Sequence, residues 1–305
     1  MTLSHIPVLL NEVVSAFHSG EHLNILDCTF GGGGHSRALL ERYNKSKVYA
    51  IDRDLDAIDR AECLRKIFPQ RFFFYSMNFA GINDLCLPPL DNVLMDLGLS
   101  SYQLDDADRG FSFKYHTPLD MRMDTTNGIS AAQFLNTAST EELIHAVRDF
   151  GEERNWKSIV RSILDNRGTD KLLYSDLFAG LIHEALSYPE QTKINPATKT
   201  FQGIRIAINR ELEALLQALP VLFEKLAIGG RLIVISFHSL EDRIVKQFFK
   251  KMAGRAVSNT DFEPSQYKTR LANVITNKPI VPQIEEIKRN PRSRSAKLRI
   301  LERVK

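Results

Sequence analysis

The sequence predicts an α/β chain: a parallel sheet with helices on its faces, interrupted by a long helical insertion. Three observations carry this. Short apolar runs alternate with helical stretches through the first third of the chain. Four consecutive glycines stand where the first run gives way to a helix. The stretch from Leu97 to Arg231 is far longer than one crossover needs and is filled with helical patterns.

The elements follow in order. Leu23 to Asp27 is a short strand candidate, and Ser36 to Tyr43 reads as a helix. Lys47 to Asp52 is a second strand and Asp56 to Ile67 a second helix. Phe72 to Met77 and Asn92 to Leu97 are the third and fourth strands. Leu143, Ile144, Val147 and Phe150 then share a helical face, with Ser139 and Glu142 spaced as a capping box. Trp156, Ile159, Val160 and Ile163 mark another helix, and Leu177 to Leu186 a third. Gln202 to Leu226 reads as one helix returning the chain to the sheet. Arg231 to Phe237 is the next strand, Ser258 to Pro282 a loop, and Ala296 to Arg303 the last strand. The expected domains are therefore 1–104 with 200–305, and an inserted helical domain over 105–199.

Composition sets outer bounds. A chain of 305 residues can bury a sizeable core. No segment approaches the roughly 20 apolar residues that span a bilayer, and Met1 to Glu12 lacks a secretory pattern. Three widely spaced cysteines suggest neither disulfides nor zinc, so a cytoplasmic location is expected. The net charge of +3 argues nothing, but Lys288 to Lys305 holds eight basic residues against one acid, Glu302. Such a tail can contact a polyanion, or simply be solvated.

The chemistry begins at Asp27-Cys28-Thr29-Phe30-Gly31-Gly32-Gly33-Gly34-His35-Ser36. Glycines let the backbone approach a ligand, and a helix N-terminus offers unpaired N–H groups to a carboxylate or phosphate. Asp52 closes the second strand about 20 residues on, where an acid can accept from ribose hydroxyls. Nicotinamide dinucleotides and S-adenosylmethionine both fit this arrangement. The loop lacks the third glycine of G-x-G-x-x-G/A, which favours the methyl donor. At the fourth strand, Asp96-Leu97-Gly98-Leu99-Ser100-Ser101-Tyr102-Gln103 places an acid at a carboxyl end, facing the ligand crevice of such sheets. Methyl transfer needs donor and nucleophile positioned in line, and an acceptor such as Asp96 could hold the hydrogens of a weakly nucleophilic amine while they are. A sulfonium donor needs no metal, so Asp105, Asp106 and Asp108 read as solvated acids.

These segments, taken in order, resemble the ribosomal RNA small subunit methyltransferase H family (MraW-like), the 16S rRNA cytosine N4-methyltransferases. The resemblance extends through His5-Ile6-Pro7-Val8-Leu9-Leu10, Arg109 to Phe113, Pro118 to Asp124, Asn195 to Gln202, Ser236 to Arg243 and Asn290 to Arg299. It implies a class I methyltransferase, Rossmann-like fold with a helical insertion for substrate recognition. It implies S-adenosyl-L-methionine as cofactor and a cytidine in the decoding region of the small ribosomal subunit as substrate. Cofactor contacts carry over to Gly31, Gly33, Gly34, His35, Ser36, Asp52, Phe79, Asp96 and Gln103. Two departures stand out. No Pro-Pro-aromatic follows Asp96, so nothing there stacks the target base, and Lys114 to Thr117 replaces an acid and a glycine found in many relatives.

His238 follows the next strand and could approach the target base or orient Asp96; Ser239, with Asp242 at the third position, is expected to cap the helix after it. No G-x-S-x-G elbow supports hydrolysis. For RNA, the tail residues Arg292, Arg294, Lys297 and Arg299 are the leading candidates. Arg109, Arg122, Arg154, Lys157 and Arg161 in the insertion could join them, or pair with Glu152, Glu153 and Asp120. A non-catalytic rRNA-binding module is the remaining alternative.

Overall fold

A computed structural model describes residues 7–17, 20–186, 195–257 and 269–305. His5 and Ile6 of the opening motif, and 258–268 of the expected loop, lie outside them; in the described part of that loop Ala272–Val274 form a strand paired with the last strand, contrary to expectation. In chain order the elements are α1 (Leu10–Ala16), β1 (Asn24–Asp27), α2 (Gly34–Arg42), β2 (Lys47–Asp52), α3 (Ala57–Ile67), β3 (Phe72–Ser76) and β4 (Leu90–Asp96). Then come α4 (Ser101–Asp105), α5 (Ala131–Thr137), α6 (Thr140–Ile144), α7 (Trp156–Asp165), α8 (Ser175–Leu186), α9 (Ala197–Asn209) and α10 (Glu211–Lys225). The chain closes with β5 (Leu226–Ser236), α11 (Ser239–Met252), β6 (Ala272–Val274), α12 (Ile284–Arg289) and β7 (Lys297–Arg303).

The chain divides into two compact units: Met1–Gly98 with Leu212–Lys305, and Leu99–Glu211. The first holds a seven-stranded sheet of order β3-β2-β1-β4-β5-β7-β6. β1 pairs in parallel with both β2 and β4, β4 with β5, and β7 runs antiparallel to both its neighbours, β5 and β6. This is the Rossmann-like, class I methyltransferase sheet that the resemblance implies. The winding reverses between β1 and β4, which makes that point the ligand crevice of an open α/β sheet.

Strand residues alternate between two cores, as the two-residue period requires. Ile25, Val48, Ala50, Leu94 and Ile233 pack with Leu39, Leu40, Ala57 and Ala61 of α2 and α3. Leu26, Tyr49, Ile51, Val93 and Leu232 pack with Leu215, Leu219 and Leu222 of α10 and Val245 and Phe249 of α11. With both faces covered, the strands read as near-continuous apolar runs.

The second unit has its own core, including Leu135, Leu143, Ile159, Ile163, Phe178 and Ile204. Ser139 and Glu142 form the expected capping box. Two expectations are corrected here. The helix begun by α6 turns into a π-helix over His145–Phe150. Gly151 N–H donates back to Ala146 O (2.9 Å), and a Cβ on Gly203 of α9 would stand 2.1 Å from that same oxygen. Close backbone contact between the π turn and α9 thus goes with the widened helix. Second, Gln202 to Leu226 is not one helix. Arg210 is left-handed (φ 51°) and separates α9 from α10. Arg205 grips Glu211 across the break with two hydrogen bonds of 2.8 and 2.9 Å, while Asn209 Nδ2 donates to Met121 O (2.7 Å).

Among the described residues no helix is long and apolar enough to cross a membrane.

The α9 contact carries a prediction. Gly203→Ala forces a methyl against backbone that has no side chain to move, so it should destabilise the protein by about 1–3 kcal/mol. Chemical denaturation measures this; a variant of wild-type stability would refute the close packing.

Candidate functional site

β2, β1 and β4 lie side by side, so their carboxyl ends present Asp52, Asp27 and Asp96 in one row. The glycine loop leaves β1 between its two neighbours: Cys28 N–H donates to Leu94 O and Phe30 N–H to Ile51 O, both at 2.9 Å. Asp27 is buried and accepts from Thr29 N–H (3.1 Å) and Ser36 Oγ (2.7 Å). Asp52 accepts from Gly31 N–H (2.7 Å) and Asp54 N–H (2.9 Å). Thr29 Oγ1 in turn accepts from Asp96 N–H (2.7 Å), and Arg60 Nε donates to Gly31 O (2.9 Å).

These bonds hold the loop from three strands at once. Gly33 caps α2 at φ 75°, where a Cβ would press 2.6 Å from the Phe30 ring; on Gly34 it would lie 2.4 Å from Pro7. Both glycines are therefore demanded by the protein's own packing. Burial raises the Asp27 and Asp52 carboxyls above their ordinary values, against the hydrogen bonds each accepts. Burial also pushes the Cys28 thiol well up, keeping it neutral and unreactive.

His35 and Asp96 differ from the rest of the loop. His35 Nε2 stands 3.4 Å from Asp96 Oδ2, a long contact outside hydrogen-bond geometry. Among the described residues neither ring nitrogen of His35, nor Asp96 Oδ1, has a hydrogen-bond partner, although all three atoms are buried. Buried polar atoms are normally paired, so three orphans on two facing side chains mark where a bound molecule completes the bonding. No side chain caps α2, whose first-turn N–H groups and dipole suit an anion. Asp52 accepts two N–H groups but has lone pairs left for further donors. Hydroxyls at Asp52, an anion at the helix end and polar groups at His35–Asp96 are what the ribose and amino-acid ends of S-adenosylmethionine offer.

The remaining candidates are placed as follows. Met77 N–H donates to Asp52 O, so Phe79 opens the turn just beyond β3, beside the end of β2, and is half-buried. Ser36 Oγ is fully buried on Asp27, while Gly31 donates its N–H to Asp52 at the end of β2 and accepts on its carbonyl from Arg60 of α3. Both groups thus help to build the loop. Gln103 lies in the second unit, where its Oε1 accepts from Ser100 N–H (3.0 Å) and closes a capping box on α4. The cap of α11 is His238, not Ser239: Nδ1 accepts from Glu241 N–H at 3.5 Å, and Glu241 Oε2 accepts from Phe237 N–H at 2.8 Å. His238 Nε2 lies 3.1 Å from Glu241 Oε1 but, like the ring nitrogens of His35, is buried without a hydrogen-bond partner among the described residues, so only Nδ1 of this ring is bonded, in the cap. Sequence reasoning left Asp27 and Thr29 without roles. Their signal is the Asp-x-Thr spacing at a strand end, which suits a side-chain to backbone turn.

The basic tail divides. Arg292 and Arg294 are exposed on a short turn. Arg299 is buried in β7 and donates to Asp242 from Nε (2.6 Å) and Nη2 (3.1 Å); Lys297 Nζ is 3.6 Å from the same carboxylate. Arg299 is thus a packing and charge-pairing residue, not the expected RNA contact. Burial alone would raise the Asp242 carboxyl, but Arg299 with Lys297 and Lys246 outweighs it and holds it below the usual range.

The profile of the MraW methylase family matches residues 2–304. A protein from Rickettsia prowazekii (strain Madrid E) named Ribosomal RNA small subunit methyltransferase H is 42% identical over 308 residues, covering 100% of both chains. Proteins of the same name from Fusobacterium nucleatum and Thermomicrobium roseum are 41% and 42% identical; they cover 98% and 100% of this chain, and 97% and 95% of their own.

The Asp242–Arg299 pair sets a stability prediction. Arg299→Ala removes both hydrogen bonds on the Asp242 carboxylate and leaves it the longer Lys297 contact, which should cost roughly 1.5–3 kcal/mol, whereas exposed Arg294→Ala should stay within about 0.5 kcal/mol. Because the folded pKa of Asp242 is depressed, the pair's contribution is present above the ordinary carboxylate value near ~4 and is lost as pH falls below it. Denaturation of wild type and Arg299→Ala between neutral and acid pH checks the sign: the difference should shrink on acidification.

Proposed function

The chain belongs to the MraW methylase family, and on that premise we propose that it N4-methylates a cytidine in the decoding region of 16S rRNA within the small ribosomal subunit. The methyl donor is S-adenosylmethionine, and the reaction belongs in the cytoplasm, where ribosomal subunits form. The observation that carries this reading is the buried, unpartnered His35–Asp96 pair at the β1/β4 switch point.

When bound, S-adenosylmethionine supplies a methyl group on a positively charged sulfonium, open to in-line displacement. The chain's residues do the rest. Asp52 accepts from ribose hydroxyls, and Phe79 flanks the base. The N-terminus of α2 at Gly33, Gly34 and His35 takes the carboxylate. Gln103 carries over from the family resemblance as a further contact. Asp96 is the acid placed to hold the hydrogens of the target amine, which favours a pyramidal and more nucleophilic nitrogen. Asp96 is itself fixed by Thr29 through its backbone N–H, so loop and acid move as one. The helical unit, Leu99–Glu211, is assigned to substrate recognition.

Incubation with labelled donor and small subunits from cells lacking the activity should yield N4-methylcytidine on nucleoside mass spectrometry. Asp96→Ala should abolish it; no label in rRNA, despite donor binding, would sink the assignment. Asp52→Ala should weaken donor binding about tenfold or more, the scale of a hydrogen bond to a charged group. Because burial raises the Asp52 carboxyl, donor affinity should fall on acidification at a pH above the ordinary carboxylate range; calorimetric titration from pH 7.5 downward reads this.

A further inference from the structure

We propose that the outward face of α7 and the turn leading into it, carrying Arg154, Lys157 and Arg161, contacts the phosphate backbone of RNA. This rests on the rRNA methylase reading and adds to it the surface that holds the substrate.

The orientation of α7 is fixed by its core. Ile159, Val160 and Ile163 are buried, and at 100° per residue Lys157 and Arg161 fall on the opposite side. They are four residues apart, one turn, and Arg154 precedes them by three. All three are exposed.

The lack of any side-chain partner at Arg154 and Arg161 is the telling feature. The same unit uses its other arginines internally. Arg122 holds Asp120 through two bonds of 2.8 Å, and Arg205 holds Glu211. Arg148 pairs with Asp149, Arg109 donates to two backbone carbonyls, and Arg167 donates to Leu135 O and Ala138 O. The side chains of Arg154 and Arg161 make no hydrogen bond or ion pair among the described residues. Of the acids offered to them by the sequence, Asp120 is taken by Arg122, buried Glu153 accepts from the N–H of Asn155 (2.8 Å), and exposed Glu152 has an interaction of its own that involves neither arginine. Only Asp165 shares the face as an acid, and it forms no ion pair with Arg161.

Lys157 is held in place. Its Nζ lies 5.6 Å from the centroid of Trp156, and Arg148 Cζ lies 5.5 Å from it. A cation ordered by an aromatic ring, flanked by two unpaired guanidinium groups along one helix face, suits a row of phosphates. An acidic protein surface is the competing occupant, and the test separates the two.

The experiment measures binding of full-length protein to protein-free 16S rRNA and to intact small subunits across a salt series. Lys157→Glu with Arg161→Glu should weaken naked rRNA binding at least tenfold. The slope of log affinity against log salt should flatten by about one to two units, since each phosphate contact contributes roughly 0.7–0.9. Donor affinity and thermal stability should stay at wild-type values, which shows that the variant folds. The charge-preserving Lys157→Arg with Arg161→Lys should bind rRNA as wild type does. Unchanged rRNA affinity and slope in the charge-reversed protein would overturn the proposal while leaving the methylase reading intact. Loss of binding only to intact subunits would overturn it in favour of a protein partner. A wild type that neither binds nor methylates rRNA would remove the methylase reading itself, and the surface with it.

Discussion

Everything at the candidate site depends on one constraint: three parallel strands lying side by side bring three aspartates to the same edge of the sheet. Left alone, three buried or half-buried carboxylates in a row repel and lose hydration. The chain resolves this by giving two of them to the glycine loop. Asp27 holds Thr29 and Ser36, and Asp52 holds Gly31 and Asp54. The third, Asp96, receives no such partner on Oδ1 and faces an equally unpartnered His35. The loop is held in place by the two satisfied acids, and the third leaves it receptive.

The same reasoning explains what the sequence reveals. Strand periodicity and the strand–glycine–helix–strand–acid order are local patterns, so β1 to β4 and the positions of Asp52 and Asp96 were legible. Features set by distant contacts were not. The left-handed Arg210 has no glycine to announce it, because Arg205 and Glu211 brace the break. The π turn at His145–Phe150 goes with the close approach of Gly203, more than 50 residues on. The basic tail misled because counting charges ignores strand alternation: Arg299 points to Asp242 between buried Leu298 and Ile300. Likewise Ser239 looked the better cap, but Glu241 reaches back to Phe237 and His238 N–H, which makes His238 the first capping residue.

The two units use charge in contrasting ways. In the sheet unit, acids are turned inward to organise backbone, and Arg299 is drawn in to neutralise Asp242. In the helical unit, most arginines lock loops by holding carboxylates or carbonyls, and a small group on α7 is left outside that network. Unpaired groups stand out in a chain that otherwise pairs its charges. Among the described residues, the orphans His35 and Asp96 and the unpaired guanidinium groups beside α7 are places where a bound molecule would complete the bonding.

The most direct test of this account is a crystal structure of the protein with S-adenosylhomocysteine bound. The account predicts ribose hydroxyls on the Asp52 carboxylate and a ligand polar atom within hydrogen-bond distance of Asp96 or His35, with the loop bonds from Asp27 and Asp52 unchanged. A ligand seated elsewhere, leaving His35 and Asp96 Oδ1 without partners, would contradict it.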